Sequence, residues 1–99
     1  MELIDTPYYL NDKHKHIEKM LSFNNTNVVN MQLQIGQTVA EHEVDADVLI
    51  IVKRGKVIFT VEGKEVEVSQ HNLLHMVPGE RHSLRAEEVS DFMVLQIKR

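Results

Sequence analysis

The sequence predicts an all-β fold, built either as a sandwich or as a barrel. Three observations support this prediction. Apolar residues recur with the period of a strand, seven or more short strands can be drawn, and turn signals separate them at intervals of about 8–12 residues. With 99 residues the chain can enclose only one hydrophobic core, so a single domain is expected.

The sequence predicts the second element more clearly than the first. KHKHIEKML, which begins at Lys13, fits either a helix or an opening strand, and it carries no convincing helix cap. The next segment, VVNMQLQIG, alternates apolar and polar residues from Val29 to Ile35. This pattern is typical of a half-buried strand, with Asn30 and Gln32 on the face opposite the apolar residues.

Three strands are predicted in the middle of the chain. VLIIV (48–52) is a continuous apolar run, which is expected of a strand covered on both sides. KVIFTVEGKEVEV then contains two alternating strands, and Glu62-Gly63-Lys64 between them favours a tight hairpin because glycine adopts positive φ easily. Gly55 marks the turn that precedes this hairpin.

The last part of the chain predicts further strands. LLHMVPGERHSL is a strand pattern interrupted by Pro78-Gly79, a dipeptide that strongly favours a turn. The closing segment, DFMVLQIK, is again typical of a strand.

Composition excludes several classes of function. The net charge is −4 and the eleven Lys and Arg residues are scattered, which argues against a nucleic-acid partner. The chain has no cysteine, so it has neither disulfides nor thiolate ligands. MELIDTPYYL has none of the features of a signal peptide, and no apolar run approaches the roughly 20 residues that span a bilayer. We therefore expect a cytoplasmic protein without a membrane partner.

Two groups of residues resemble the conserved motifs of the cupin family. Gly36, His42 and Gly55 are spaced as in the first motif, G-x5-H-x-H-x3-4-E-x6-G, and the segment 78–82, PGERH, is similar to the end of the second motif. The resemblance covers residues 28–97. It implies a small single-domain cupin of the cupin 2 conserved-barrel type, with the double-stranded β-helix of an RmlC-like jelly roll. Residues 1–27 would form an N-terminal extension and the first strands.

The resemblance also implies where a metal would lie. Metal-binding cupins use two histidines and a glutamate from the first motif and one histidine from the second, because imidazole and carboxylate groups hold divalent transition ions. His42 and His82 occupy the first and last of these positions. Val44 and Val48 stand where the second histidine and the glutamate are expected, and neither can bind a metal. Asp47 is close by, but in a strand it points away from the face of His42.

Three residues could compensate for the missing ligands, and His75 is favoured over Asp45 and Asp47. His75 lies seven residues before His82, on the strand that leads into the Pro78-Gly79 turn. Leu73, His75 and Val77 share one face of this strand, while Leu74 and Met76 share the other. Both faces are apolar, so the sequence leaves the orientation of His75 open.

Three functions are compatible with these residues. The first is a binding module that holds a small molecule, or a weakly held divalent metal such as Zn, Ni, Fe, Mn or Cu, between His42 and His82. The second is a metal-dependent enzyme of the dioxygenase or isomerase kind that uses a three-histidine site formed by His42, His75 and His82. The third is a structural or regulatory barrel with neither ligand nor metal.

A homodimer is expected for two reasons. A chain of this size is short of core, and small cupins commonly pair through their sheets. Tyr8, Tyr9 and Leu10 have no obvious place inside the barrel. We therefore expect the N-terminal segment to take part in the dimer contact.

Overall fold

The computed structural model describes residues 1–99 and consists of nine strands joined by turns and loops. It contains no helix long and apolar enough to span a membrane. The strands are β1 (Lys15–Phe23), β2 (Thr26–Leu33), β3 (Thr38–His42), β4 (Asp47–Arg54), β5 (Val57–Val61), β6 (Lys64–Val68), β7 (Leu73–Met76), β8 (His82–Ala86) and β9 (Ser90–Ile97).

The strands form two antiparallel sheets that enclose one core. The five-stranded sheet has the order β1-β2-β9-β4-β7, and the four-stranded sheet has the order β3-β8-β5-β6. Sequence neighbours are often separated in space, as in a jelly roll, and the prediction of an all-β fold is confirmed. The core between the sheets is formed by Leu33, Val48, Ile50, Val52, Val57, Phe59, Val68, Met76, Leu84, Ala86, Phe92 and Val94.

The turns explain where several strands end. Glu62 (φ 47°) and Gly63 (φ 81°) form the two-residue connection between β5 and β6. Two successive positive φ angles are the signature of a type I′ turn, whose twist matches that of the flanking strands. The predicted hairpin is therefore confirmed, and it aligns Val61 with Lys64 and Phe59 with Val66.

The ambiguous segment near the N-terminus is a strand. β1 pairs with β2 along its length, and the register shifts between Lys19 and Leu21, where Met20 forms a β-bulge. Long-range pairing thus decides between the two conformations that the local sequence allowed.

The polar face of β2 is buried, contrary to what its alternation suggests. Asn30 and Gln32 lie on the outer face of the five-stranded sheet, yet their exposed fractions are 1% and 0%. The segment 6–10 lies across this end of the sheet: the Tyr9 amide donates to Gln32 Oε1 at 2.9 Å, and Gln32 Nε2 donates to the Pro7 carbonyl at 2.8 Å. Leu10 is buried within its own chain.

The outer face of β4 is more exposed to solvent than its sequence predicts. Val48, Ile50 and Val52 point into the core, but the outer residues of the same strand are not fully covered, and Ile51 is 42% exposed. The expectation of a strand covered on both sides is wrong for the single chain. The reason is that no other element of the chain packs over this part of the outer face.

Candidate functional site

The candidate site is a cavity of about 90 Å³ between the two sheets. Its wall consists mainly of apolar side chains, and its polar side chains are two imidazoles and one amide. The residues that line it are Met31, Val39, His42, Val44, Val48, Ile50, Phe59, His82, Leu84, Val94 and Gln96. Both predicted ligand-binding residues, His42 and His82, are therefore brought together in the barrel.

Strand pairing places the two histidines face to face. His42 ends β3 and His82 begins β8, and the two residues are directly opposed in the ladder after a bulge in β3. Their ring centroids are 4.3 Å apart with an interplanar angle of 58°. His82 is buried, with 5% of its surface exposed, whereas His42 is exposed. His42 thus lies at the mouth of the cavity and His82 lies deeper.

The same hydrogen-bond pattern orients both rings. Nδ1 of His42 lies 2.9 Å from the carbonyl oxygen of Ala40, and Nδ1 of His82 lies 3.0 Å from that of Glu80. A carbonyl can only accept, so each Nδ1 carries the proton and donates it. In the neutral imidazoles the lone pair is then on Nε2, which makes no hydrogen bond within the protein. The pair can accept two hydrogen bonds or donate two lone pairs to a cation.

The valines at the remaining motif positions lie in the same wall. Val44 and Val48 line the cavity with the histidines, at the places where the cupin motif has its other ligands. No group of three or more His, Cys, Asp or Glu side chains is arranged to hold a metal ion. The residues do not fit a complete cupin metal centre, because they offer two nitrogen donors and no carboxylate.

His75 does not belong to this site. Leu74 packs against the core and Met76 is 1% exposed, so His75 points to the outer face of the sheet. There its Nε2 lies 2.8 Å from Oδ1 of Asp47. The three-histidine arrangement of His42, His75 and His82 is therefore not formed.

Asp47 accepts hydrogen bonds from two cationic or potentially cationic groups on the outer face. Arg99 Nε lies 2.9 Å from its Oδ2, in addition to the contact with His75. The hydrogen bond from Arg99, followed by that from His75, lowers the pKa of Asp47 from 3.8 to about 2. Asp47 points away from the cavity, as its position in the strand predicted.

A second, larger cleft lies outside the barrel. It is an open groove of about 280 Å³ on the outer face of the four-stranded sheet, with Thr38, Thr60 and Ser83 among its lining residues. Its charged residue, Arg85, is paired with Glu65 at 3.0 Å. We place the site in the smaller cavity because only that cavity collects unpaired imidazole nitrogens inside an apolar wall.

Gln96 was missed by the sequence analysis. It follows Phe92 and Val94 on the inner face of β9 and brings an amide into the cavity. The signal was present in the sequence, since Gln96 is a polar residue that continues the inward alternation of Phe92 and Val94.

Comparison with known families agrees with this geometry. Residues 33–97 match the family described as the AraC-like ligand binding domain. The chain belongs to this family. No curated protein matches the sequence.

Solved structures share the fold of this AraC-like domain at low sequence identity. A conserved protein of unknown function from Streptococcus pyogenes has a TM-score of 0.82 at 15% identity, over 100% of this chain and 91% of the other. An RmlC-like cupin with a double-stranded β-helix from Methanocaldococcus jannaschii has a TM-score of 0.82 at 15% identity, over 99% and 91%. The cupin_2 domain of an XRE family transcriptional regulator from Enterobacter cloacae has a TM-score of 0.75 at 13% identity, over 88% and 99%. These likenesses confirm the cupin fold.

Proposed function

We propose that this protein binds a small molecule in the barrel cavity, with His42 and His82 as the polar anchors. The observation that carries the proposal is the pair of opposed imidazoles, each fixed through Nδ1 by a backbone carbonyl. Their Nε2 atoms are left for a ligand in an otherwise apolar wall. Membership of a ligand-binding family supports this proposal.

The cavity limits the size and chemistry of the ligand. A volume of about 90 Å³ is small beside the 300–1,000 Å³ typical of drug-sized ligand sites. It suits a molecule, or part of a molecule, with a few non-hydrogen atoms. Because both Nε2 atoms accept hydrogen bonds in the neutral imidazoles, the best match is a group with two donors, such as a small amine, amide or polyol.

A thermal-shift screen of small amines, amides and polyols tests this proposal. A ligand that binds only the folded state at roughly 100 times its dissociation constant stabilises the protein by about 2.7 kcal/mol, which raises the Tm of a domain of this size by about 10 °C or more. We expect His42→Ala and His82→Ala to lose this shift.

His75→Ala is the matched control, because it removes an imidazole that lies outside the cavity. A shift that survives in the His42→Ala, His82→Ala double variant would contradict the proposal. The absence of any shift across the screen would also count against it and would favour a regulatory barrel without a ligand.

A second candidate is a weakly held divalent transition metal. A metal-bound histidine usually donates the N–H of its other ring nitrogen to a carbonyl or carboxylate. His42 and His82 both have their Nδ1 placed to donate to a backbone carbonyl in this way. Two protein nitrogens are fewer than the three or four ligands of ordinary zinc sites, so weak binding is expected. Elemental analysis of untagged protein distinguishes the candidates. Stoichiometric metal that is lost in His42→Ala and His82→Ala, but kept in His75→Ala, would favour the metal.

Elemental analysis for a bound metal also tests the enzyme alternative. A metal held by His42 and His82 alone would justify assays for dioxygenase or isomerase activity. The three-histidine version of that enzyme has no support, because His75 lies on the outer face.

A further inference from the structure

The barrel cavity holds a third polar side chain beside the two imidazoles. Gln96 lies opposite Val48 in the pairing of β9 with β4, and Val48 belongs to the core, so both side chains point inward. Gln96 is half-buried and lines the cavity together with His42 and His82. Its amide makes no hydrogen bond within the protein. The cavity therefore contains one free amide in addition to the two free Nε2 atoms.

The cavity wall carries no permanent charge. None of its 11 lining residues is Asp, Glu, Lys or Arg. A charged group that enters an apolar site without a counter-charge loses its hydration and gains little in return. Aliphatic amines are ammonium ions at neutral pH, as the ordinary lysine pKa of about 10.4 shows, and carboxylic acids are anions. The wall therefore favours a neutral ligand over both of these classes.

The two imidazoles lie close enough to share one donor atom. Their ring centroids are 4.3 Å apart. Two acceptors that are bridged by a single planar NH₂ group lie about 5 Å apart, because hydrogen bonds of about 2.9 Å diverge from its nitrogen at about 120°. The separation of His42 and His82 thus suits one nitrogen that carries two N–H bonds.

We propose that the cavity selects a neutral primary amide. The NH₂ group of the ligand donates to Nε2 of His42 and of His82, and its carbonyl oxygen accepts from Nε2 of Gln96. This ligand class presupposes the binding function proposed above and narrows it. The cavity of about 90 Å³ has room for about three groups of the size of water, so the amide carries only a short alkyl chain.

Other small neutral groups match these three side chains less well. A hydroxyl has a single O–H, so a polyol needs two hydroxyls at a fixed separation to reach both imidazoles. Ketones and esters have no donor for either imidazole. A primary amide, or the related urea group, places two donors on one nitrogen and an acceptor beside it. Gln96 is then the residue that determines specificity for the carbonyl oxygen.

An NMR titration of the full chain with propionamide, propylamine and propionate tests this assignment. It is run with EDTA to remove metal, at a pH of about 8, where an ordinary histidine is neutral. Ligands with so few atoms bind with dissociation constants on the order of millimolar. We expect propionamide to bind at least about tenfold more tightly than the other two and to shift the side-chain NH₂ resonances of Gln96.

Variants of Gln96 test its role separately from that of the histidines. Gln96→Leu removes the donor to the ligand carbonyl, so propionamide affinity should fall about tenfold. Gln96→Glu supplies only acceptors and a negative charge, so it should weaken propionamide and strengthen propylamine, each by about tenfold. Gln70→Glu is the matched control, because Gln70 is exposed and lies outside the cavity. It should keep the wild-type affinities for all three compounds.

The histidine variants separate failure of the amide assignment from failure of the proposed function. If His42→Ala and His82→Ala weaken propionamide binding but neither Gln96 variant does, the amide assignment is overturned and the binding function stands. Wild-type protein that binds propylamine as tightly as propionamide overturns the assignment in the same way. Binding that survives loss of both histidines overturns both. If propionamide does not bind at all, the amide assignment is wrong, and the thermal-shift screen alone decides the proposed function.

Discussion

At the scale of single residues, the protein holds two imidazoles in one defined tautomer. Each Nδ1 is engaged by a carbonyl two residues earlier in its own strand or turn, Ala40 for His42 and Glu80 for His82. This local geometry needs no other side chain. In the proposed site the two Nε2 atoms are thus oriented before any ligand arrives, which would lower the entropy lost on binding.

Asp47 should titrate at unusually low pH. Hydrogen bonds from Arg99 and then His75 hold the pKa of its carboxyl at about 2. Because this pKa lies below its unfolded value, the carboxylate stabilises the fold above about pH 4, and this contribution is lost as the pH falls toward 2. A carbon-13 titration of the carboxyl group should find a midpoint near 2.

Arg99→Ala provides the control for that titration. Removal of the main hydrogen-bond donor should move the midpoint upward, toward the ordinary value of 3.8. A wild-type midpoint near 4, unchanged in Arg99→Ala, would show that the ion pair does not persist in solution.

At the scale of elements, one turn and one terminal segment depend on close tertiary contacts. Gly55, with φ of +88°, ends β4 beneath the start of β9. A Cβ at this position would collide with the Val89 carbonyl oxygen and would lie 2.6 Å from Ser90 Oγ. The backbone of β9 leaves no room for any residue other than glycine.

Gly55→Ala should destabilise the protein far more than Gly63→Ala. Both positions require positive φ, which costs a non-glycine residue about 1–2 kcal/mol. Gly63 has open space around it, whereas Gly55→Ala adds a steric clash worth about 1–3 kcal/mol. Urea unfolding of the two variants measures the difference directly. Equal midpoints would mean that β9 moves aside at no cost.

The N-terminal segment should detach when Gln32 is replaced. Gln32→Leu removes the acceptor of the Tyr9 amide and the donor to Pro7, and an unpaired buried group costs about 1–3 kcal/mol. We expect the Tyr9 amide to lose its protection in hydrogen exchange. Ser22→Ala, which alters an exposed hydrogen bond on β1, should leave that protection intact. Unchanged protection in Gln32→Leu would show that apolar burial of Leu10 suffices.

At the scale of the whole molecule, the barrel presents residues from distant strands as one wall. β3 and β8 supply the histidines, and β4 supplies Val48 opposite them. Closure of the two sheets is therefore what creates the cavity.

Restoring the motif should create a metal centre. Val44→His with Val48→Glu adds an imidazole and a carboxylate to the wall that holds His42 and His82. Four such ligands form an ordinary binding set for Zn²⁺ or Ni²⁺, so metal affinity should rise by 100-fold or more, which is at least about 2.7 kcal/mol. Isothermal titration with zinc measures this change. A folded variant with wild-type affinity would show that the cavity geometry no longer matches a metal site.

The sequence predicted most of the fold, and two of the residues it singled out come together in the candidate site. Strand periodicity, the Gly63 hairpin and the Pro78-Gly79 turn are local signals, and each was confirmed. The spacing of His42 and His82 was also sufficient to place both in the barrel, because the motif fixes their strands.

The orientation of His75 and the covering of β2 were decided only by tertiary structure. Both faces of β7 are apolar, so periodicity could not choose between them until β7 paired with β4 and turned Met76 inward. Gln32 is buried because the segment 6–10 crosses it from more than twenty residues away in the chain. Local pattern determines where strands form and which residues alternate, whereas burial of either face depends on which distant segment packs against it.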